Sequence, residues 1–495
     1  MIEDMALRTL PDSPVPGPVS TDRRELSLPG LLAVLGAVLL PVLSFFSVSV
    51  ALGPIGSDLD ASPAMLQLVV AGYGVPYASL VVLGGRIGDG RGRRRLMIIG
   101  LVGFVVASIG CGLAQTPEQL VAARVLQGVA AAFTTPQVLA TIHATTTGER
   151  RGRAVGMFGA TAGIATCLAF LVGGPLTSSD LPGLGWRAVF WLNVPVALVV
   201  IWAVLRWVPP TSGPARVPID LRGTVLLAAM MVLLVLPVTE GRAVGWPPWT
   251  WVMLAAFVPV ALAFVWSQRR SERNGGLPLV PPSLLRLRTM AVGLAVAAPF
   301  FGGFGGFMFV YAYAAQGPAG MSPWEVGISL TPLAVAFLAA SLRSARMVAR
   351  FGVSTLTVGA LLAAAGYAVL ALQVAVAWPR FDTLDVLVGS VAVGVGQGLL
   401  MPQLFGIILS QVPPAQGGLG SGVLITAQQM MFGLGAALVG SLYLSLGEWG
   451  DGAGAFATTT LLVAVILLAI AVCCRFLDPR RSSTPSDLEG GVPSR

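Results

Sequence analysis

Few groups in this chain could do chemistry, and two arrangements of them stand out from an apolar background. One is the run Gly85-Arg86-Ile87-Gly88-Asp89-Gly90-Arg91-Gly92-Arg93-Arg94-Arg95. Glycines at 85 and 88 let the end of one helix pack closely on another. Asp89 at a helix end can accept from backbone amides or pair with an arginine. Such a tight, glycine-containing turn is a candidate latch that forms and breaks, built from Gly85, Gly88, Asp89, Arg91, Gly92, Arg93 and Arg94. The arginines also hold the segment against an anionic lipid surface. A plain basic loop accounts for Arg93 to Arg95, but not for the Gly-x-x-Gly-Asp spacing. The second arrangement is Arg124 in LVAARVLQGVAAAF. An ionisable group inside so apolar a run is costly unless it is paired or faces water, and it marks a functional position by default. Two placements satisfy it. It faces a wet central cavity and attracts an anionic or carboxylate-bearing solute, or it is held by backbone carbonyls and Gln127 or reaches toward the outer interface.

The remaining polar residues of the apolar segments are weaker signals. Tyr73, Gln127, Gln137, Asn193, Tyr311, Tyr313, Gln316, Gln397, Gln403, Gln428 and Gln429 could line a cavity of mixed character. Of these, Tyr73, Gln127, Gln137, Tyr311, Gln397 and Gln428 join Arg124 as the candidate cavity set. Hydrogen bonding between helices explains any one of them equally well. His143, the single histidine, reads as an interfacial residue. The run Phe300 to Phe309, FFGGFGGFMF, reads as close packing or as a gating hinge. The four cysteines lie in apolar segments without ligand-like spacing to histidine, so neither a disulfide framework nor a metal site is expected. No nucleophile–base pair or phosphate-cradling Gly-Lys motif is present, which argues against an enzyme. No cofactor is expected.

These residues must be positioned by membrane helices. The chain is 55% hydrophobic and 11% charged, and the charged share is about half that of typical globular proteins. Stretches of about 20 apolar residues, enough to cross a bilayer, recur near 30–52, 66–87, 96–114, 119–142, 154–176 and 187–208. Two more lie near 221–239 and 249–267, and a last six near 289–315, 323–342, 354–377, 384–410, 419–446 and 454–477. The expected fold is therefore an all-α membrane protein of about fourteen transmembrane helices, with two six-helix pseudo-repeat bundles and two linking helices. Its parts are an N-terminal tail (1–28), a first bundle (29–210), the linking helices with a long loop (211–285), a second bundle (286–478) and a C-terminal tail (479–495). No cleavable leader is evident, and the first span reads as a retained signal-anchor.

Charge sets the orientation. All 30 basic residues are arginine. They concentrate at Arg91 to Arg95, at Arg150, Arg151 and Arg153, at Arg269, Arg270 and Arg273, and at Arg475, Arg480 and Arg481. The alternate loops carry Asp58, Asp60, Glu118, Asp180, Glu448 and Asp451, with Arg187, Arg242 and Arg380 as basic exceptions. By the positive-inside rule, both termini are expected in the cytoplasm and the chain in the cytoplasmic (inner) membrane. The net charge of +8 is thus a membrane signal, and no nucleic-acid partner is expected.

The two outer blocks of helices resemble each other. RSARMVARFG follows the second span of the last block as GRIGDGRGRRR follows that of the first, with Arg350 and Gly352 at matching places. Both fourth spans carry a Gln-Gly pair and a later proline, in RVLQGVAAAFTTPQ and VGQGLLMPQ. Paired six-helix halves with a site at their interface are a transporter architecture.

At these residues the chain resembles the major facilitator superfamily over nearly its whole length. GRIGDGRGRRR looks like the family's signature. AARVLQGVAAAFTTPQ is similar to its fourth-span motif, with Arg124, Gln127, Gly128 and Pro136 in place. RRGRAVGMFGATAG and WRAVFWLNVPVAL resemble the fifth and sixth spans. The six-two-six layout resembles the fourteen-span drug:proton antiporter branch. The resemblance implies a secondary carrier that exports a small amphiphilic molecule such as an antibiotic by proton antiport and alternating access. The expected partners are that solute, the bilayer and protons, for a protein acting as a monomer.

The departures bear on coupling. That branch usually carries a first-span acid, and the matching position here is Ser44, at a depth similar to Arg124, about six residues or roughly 9 Å inside the span. Ser44 therefore joins the candidate cavity set. The fifth-span Gly-Pro is replaced by Ala169-Phe170, Ala349 stands where the second latch usually has aspartate, and Gly90 follows Asp89 where arginine is usual. Without the first-span acid, organic cations are disfavoured as solutes. A metabolite carrier without tight proton coupling is the alternative.

Overall fold

The protein is described from a computed structural model, which defines residues 26–178, 184–210, 220–241, 244–412, 417–449 and 452–474. The tails beyond these bounds, the stretch 211–219, Asp180, Arg242, Asp451, Arg475, Arg480 and Arg481 lie outside the described residues.

Fourteen helices among the described residues are long and apolar enough to cross a membrane. They are α1 (Leu28–Asp58), α2 (Pro63–Arg91), α3 (Arg93–Leu113), α4 (Pro117–Thr145), α5 (Gly148–Thr177), α6 (Gly185–Trp207), α7 (Leu221–Glu240), α8 (Pro248–Arg273), α9 (Arg288–Gln316), α10 (Pro323–Phe351), α11 (Ser354–Ala377), α12 (Leu387–Leu409), α13 (Gly417–Trp449) and α14 (Gly452–Cys473). A short helix, Pro282–Arg286, precedes α9. Helix starts are written in local sequence. Ser62-Pro63, Thr116-Pro117 and Ser322-Pro323 each place a capping hydroxyl before a proline at the first helical position. The hydroxyl accepts an otherwise orphan amide, and proline lacks one to orphan. At α10 the cap is reciprocal, with Glu325 accepting from the Ser322 amide.

The helices outrun the predicted spans, and this corrects where the arginines sit. Arg91, Arg150 to Arg153, Arg269 to Arg273 and Arg343 to Arg350 are helical, where the apolar pattern placed them in loops. Hydrophobicity ends at the membrane boundary, but arginine is a good helix former, so nothing stops the helix there. What stops it is glycine. Gly92 alone separates α2 from α3, at φ 103°, and Gly352 breaks α10 from α11 at φ 63°. L-residues rarely adopt either conformation.

Helices α1–α6 form one group and α9–α14 another, with matched contacts. The pairs α2 with α4, α3 with α4 and α1 with α5 recur as α10 with α12, α11 with α12 and α9 with α13. The Gln-Gly pairs explain part of this. A Cβ on Gly128 would stand 2.2 Å from the Tyr73 carbonyl oxygen, and one on Gly398 would stand 2.4 Å from that of Phe337. Each glycine lets the fourth helix of its group touch the backbone of the second. The groups meet along α2 with α13 and α5 with α10, again a matched pair. The hairpin α7–α8 packs on α2 and α13. Large apolar side chains such as Leu198, Trp202, Val252, Leu262, Leu372 and Val465 remain exposed. They form the apolar exterior that lipid requires.

Candidate functional site at the seam between the bundles

Arg124 is fully buried and its described hydrogen-bond partners are all neutral. Its Nη1 donates to Gln127 Oε1 at 2.6 Å and makes a long contact of 3.5 Å to Ser44 Oγ, while Nε donates to the Val69 carbonyl at 3.2 Å. The Tyr73 ring lies beneath the guanidinium, 4.4 Å from its carbon to the ring centroid. A guanidinium has five N–H donors, and those on Nη2 have no protein partner. A second shell fixes the first. Gln127 donates to Ser108 Oγ at 2.9 Å, Asn193 Nδ2 donates to Ser44 Oγ at 3.3 Å, and the Tyr73 hydroxyl donates to the Pro41 carbonyl at 3.2 Å. Asn193 Oδ1 and Ser47 Oγ are buried and unpartnered nearby in the chain. The arrangement is a desolvated cation with spare donors and only neutral acceptors. That state is costly in a low-dielectric interior and favours an anion.

An aromatic seam adjoins it. The Phe45 ring lies 6.0 Å from Tyr73 and stacks on Phe432 of the second bundle at 5.4 Å. Phe432 in turn meets Phe301 at 5.5 Å and Phe304 at 6.0 Å, and Phe46 meets Phe304 at 6.0 Å. The glycines of FFGGFGGFMF let α9 approach α13 closely, since a Cβ on Gly305 would stand 2.5 Å from the Phe432 carbonyl. Phe45, Phe46 and Phe432 were not visible as site residues in the sequence. The only available signal was the Phe-Phe pair directly after Ser44.

The structure divides the predicted cavity set. Ser44, Tyr73, Arg124 and Gln127 come together. Gln137 lies elsewhere, buried between α2 and α4, donating to the Gly84 carbonyl at 2.9 Å. Tyr311 donates to Ser329 Oγ and Gln397 to the Tyr367 hydroxyl, both at 2.7 Å and both inside the second bundle. Gln428 is half-buried on α13, one residue before Gln429, whose backbone faces Gly74 of α2. Their amide and hydroxyl groups signal burial in sequence, but not which seam they face.

The predicted latch is a continuous feature of the arginine-rich end. Gly88 takes a Cβ-free approach to Gln137, where a Cβ would stand 1.9 Å from Oε1. Asp89 pairs with Arg93 at 2.7 Å across the Gly92 break. Arg94 donates to the Leu205 carbonyl of α6. At the far end the bundles are joined directly. Gly53 N–H donates to Gln316 Oε1 at 2.8 Å, Gln316 Nε2 to the Ser49 carbonyl at 3.1 Å, and Trp324 N–H to Ser178 Oγ at 3.1 Å. A cavity of about 480 Å³ lies there, lined by Gly53, Tyr313, Gln316 and Met321 and remote in sequence from Arg124.

The sequence model of the Major Facilitator Superfamily matches residues 34–431. The chain belongs to this superfamily. It is similar to the probable actinorhodin transporter of Streptomyces coelicolor, 35% identical over 88% of this chain and 75% of that protein. It is also similar to the puromycin resistance protein pur8 of Streptomyces alboniger, 34% identical over 90% of this chain and 88% of that one. The human organic anion transporter MFSD10 (TETRAN) shares the fold, with a TM-score of 0.63 at 16% identity, over 92% of this chain and 99% of that one. A superfamily member with this site is a multi-pass membrane carrier of small molecules and not an enzyme. Among the described residues no group of histidine, cysteine, aspartate or glutamate could hold a metal ion.

Proposed function

We propose that this protein exports an amphiphilic, anionic small molecule of the antibiotic type, by alternating access between its two bundles. The observation that carries this reading is Arg124: buried, with its Nη2 donors unpartnered and no carboxylate among its described partners, beside an aromatic seam. A flat apolar solute with an acidic group satisfies both features at once. The relatives' printed roles, actinorhodin transport and puromycin resistance, support export of such compounds. The Asp58, Asp60, Glu118, Glu325, Asp382 and Asp385 residues at the far end, against the arginines at the other, support insertion in the cytoplasmic membrane with both termini inside. In this reading the carrier acts as a monomer whose exposed apolar side chains face lipid.

The energy source in this reading is the proton gradient, as in the family's antiporters. One observation favours a second reading, a carrier without tight proton coupling: the position beside Arg124 is Ser44, which carries no titratable acid. Inverted membrane vesicles with an imposed pH gradient test both. Fluorescein, a neutral aromatic dye and ethidium serve as anionic, neutral and cationic probes. The expected result is gradient-driven accumulation of the anion, lost in Arg124→Gln. A charge-assisted hydrogen bond contributes about 1.5–3 kcal/mol, so transport efficiency falls roughly 10- to 150-fold. Fluorescein accumulation unchanged in the Arg124→Gln variant would sink the anion reading. Accumulation indifferent to the gradient would leave the carrier without its proton.

A further inference from the structure

Arg86, inside the latch motif, is not used by the latch. It is 6% exposed, and its two Nη atoms donate to the main-chain carbonyls of Leu277 and Pro278. Those carbonyls belong to the loop 274–281 between α8 and the helix Pro282–Arg286, far away in sequence. The same loop is held from its other side. Leu279 N–H donates to Asp220 Oδ2 at 3.1 Å and Val280 N–H to Gln268 Oε1 at 2.8 Å, while Gln268 Nε2 donates to Asp220 Oδ2 at 2.8 Å. Asp220 Oδ1 caps α7 by accepting from Gly223 N–H at 2.8 Å. Beyond the loop, Thr289 at the start of α9 donates to Gln411 Oε1 at 3.2 Å, inside the second bundle.

A four-way junction results. One buried arginine of α2 grips the only covalent path from the linking hairpin into the second bundle. At the opposite end of the hairpin the tie is to the second bundle instead, with Ser441 Oγ of α13 donating to the Val238 carbonyl of α7 at 3.2 Å. The hairpin is thus fastened to α2 at the arginine-rich end and to α13 at the far end, diagonally across the seam that those two helices form.

We propose that Arg86 is a positioning residue that makes the loop 274–281 and the arginine-rich end of α2 move as one body, so that the linking hairpin braces the exchange between open states. This rests on the alternating-access reading for its role in transport, but the clip itself is a separate structural statement. The test uses the full-length protein in detergent micelles. Amide hydrogen exchange is followed at Leu279 and Val280, and spin labels on cysteines at Arg91 and Arg346 report the spacing of α2 and α10 in a background lacking the native cysteines. In Arg86→Met, exchange at both amides is expected to rise at least tenfold and the interspin distribution to broaden. Arg86→Lys, which restores a donor, is expected to return both toward wild type. Asp220→Asn, which loosens the loop from its other side, is expected to act in the same direction. Unchanged exchange in Arg86→Met overturns the clip. Faster exchange with an unchanged interspin distribution overturns the brace. Neither readout needs a transported solute, so a failure to find export bears on the proposed function alone. If Arg86→Met does not fold, Asp220→Asn against wild type carries the same comparison.

Discussion

At the scale of single residues, the unusual feature is a buried guanidinium whose neighbour is a hydroxyl. Ser44 Oγ lies 3.5 Å from Arg124 Nη1, so a carboxylate placed there would form a desolvated ion pair. Opposite charges at such distances attract strongly in a low-dielectric interior. Ser44→Asp is therefore expected to neutralise the site. Uptake of fluorescein into inverted vesicles should fall more than tenfold, and uptake of ethidium should rise relative to it. No change in the anion-to-cation ratio would show that Arg124 does not select by charge. Gln127 tests the same point from its other side. It is the acceptor at 2.6 Å and is itself anchored on Ser108. Gln127→Leu strips Arg124 of its shortest bond, with an expected stability loss of about 1.5–3 kcal/mol, read as a lower melting temperature of the purified protein.

Among the elements, glycines decide where helices end and how near they come. Gly92 holds φ 103° between two helices whose flanking residues would otherwise continue as one. Gly92→Ala forces a side chain into that backbone region at a cost on the order of 1–3 kcal/mol, or releases it by fusing α2 with α3. Either outcome should redirect α3 relative to α2 and lower the melting temperature, whereas Gly90→Ala, in a helical position of α2, should not. An equal effect of the two variants would show that backbone conformation at Gly92 is not what matters. The sequence pattern made the latch legible as a turn but hid its form, because apolar periodicity reports burial and says nothing about arginines that extend a helix beyond the bilayer. The repeat was legible at Gly92 and Gly352 and at the two Gln-Gly pairs for the opposite reason. Both are backbone requirements, which leave a residue-type signature.

For the whole molecule, hydrogen bonds between side chains and main chain join the two bundles at the far end. Gln316 alone supplies two hydrogen bonds between α9 and α1, to Gly53 N–H and the Ser49 carbonyl. Its truncation removes both links between the bundles, so Gln316→Ala is expected to favour opening at that end. Two neutral hydrogen bonds contribute about 1–3 kcal/mol together. That corresponds to roughly a 5- to 150-fold shift between states, seen as faster alkylation of a cysteine introduced at Ser49, which is buried at that end. An unchanged alkylation rate would mean that the packing of α5 on α10, and not this glutamine, holds the far end closed.

The number of spans, their division into six, two and six, and the asymmetry of charge were determined by the sequence itself. Each follows from local solvation: apolar runs seek lipid, arginines avoid crossing it, and glycine marks forced backbone. Tertiary structure alone decided which polar residues share a site. Arg124, Gln127, Ser44, Ser108, Asn193 and Tyr73 come from five different helices, and Gln137, of the same type on the same helix as Gln127, faces the latch instead. The bond from Arg86 to the loop 274–281 and the stacking of Phe45 on Phe432 were likewise out of reach. Contacts between residues so distant in the chain are set by how the helices are rotated against one another, and hydropathy carries no record of that rotation.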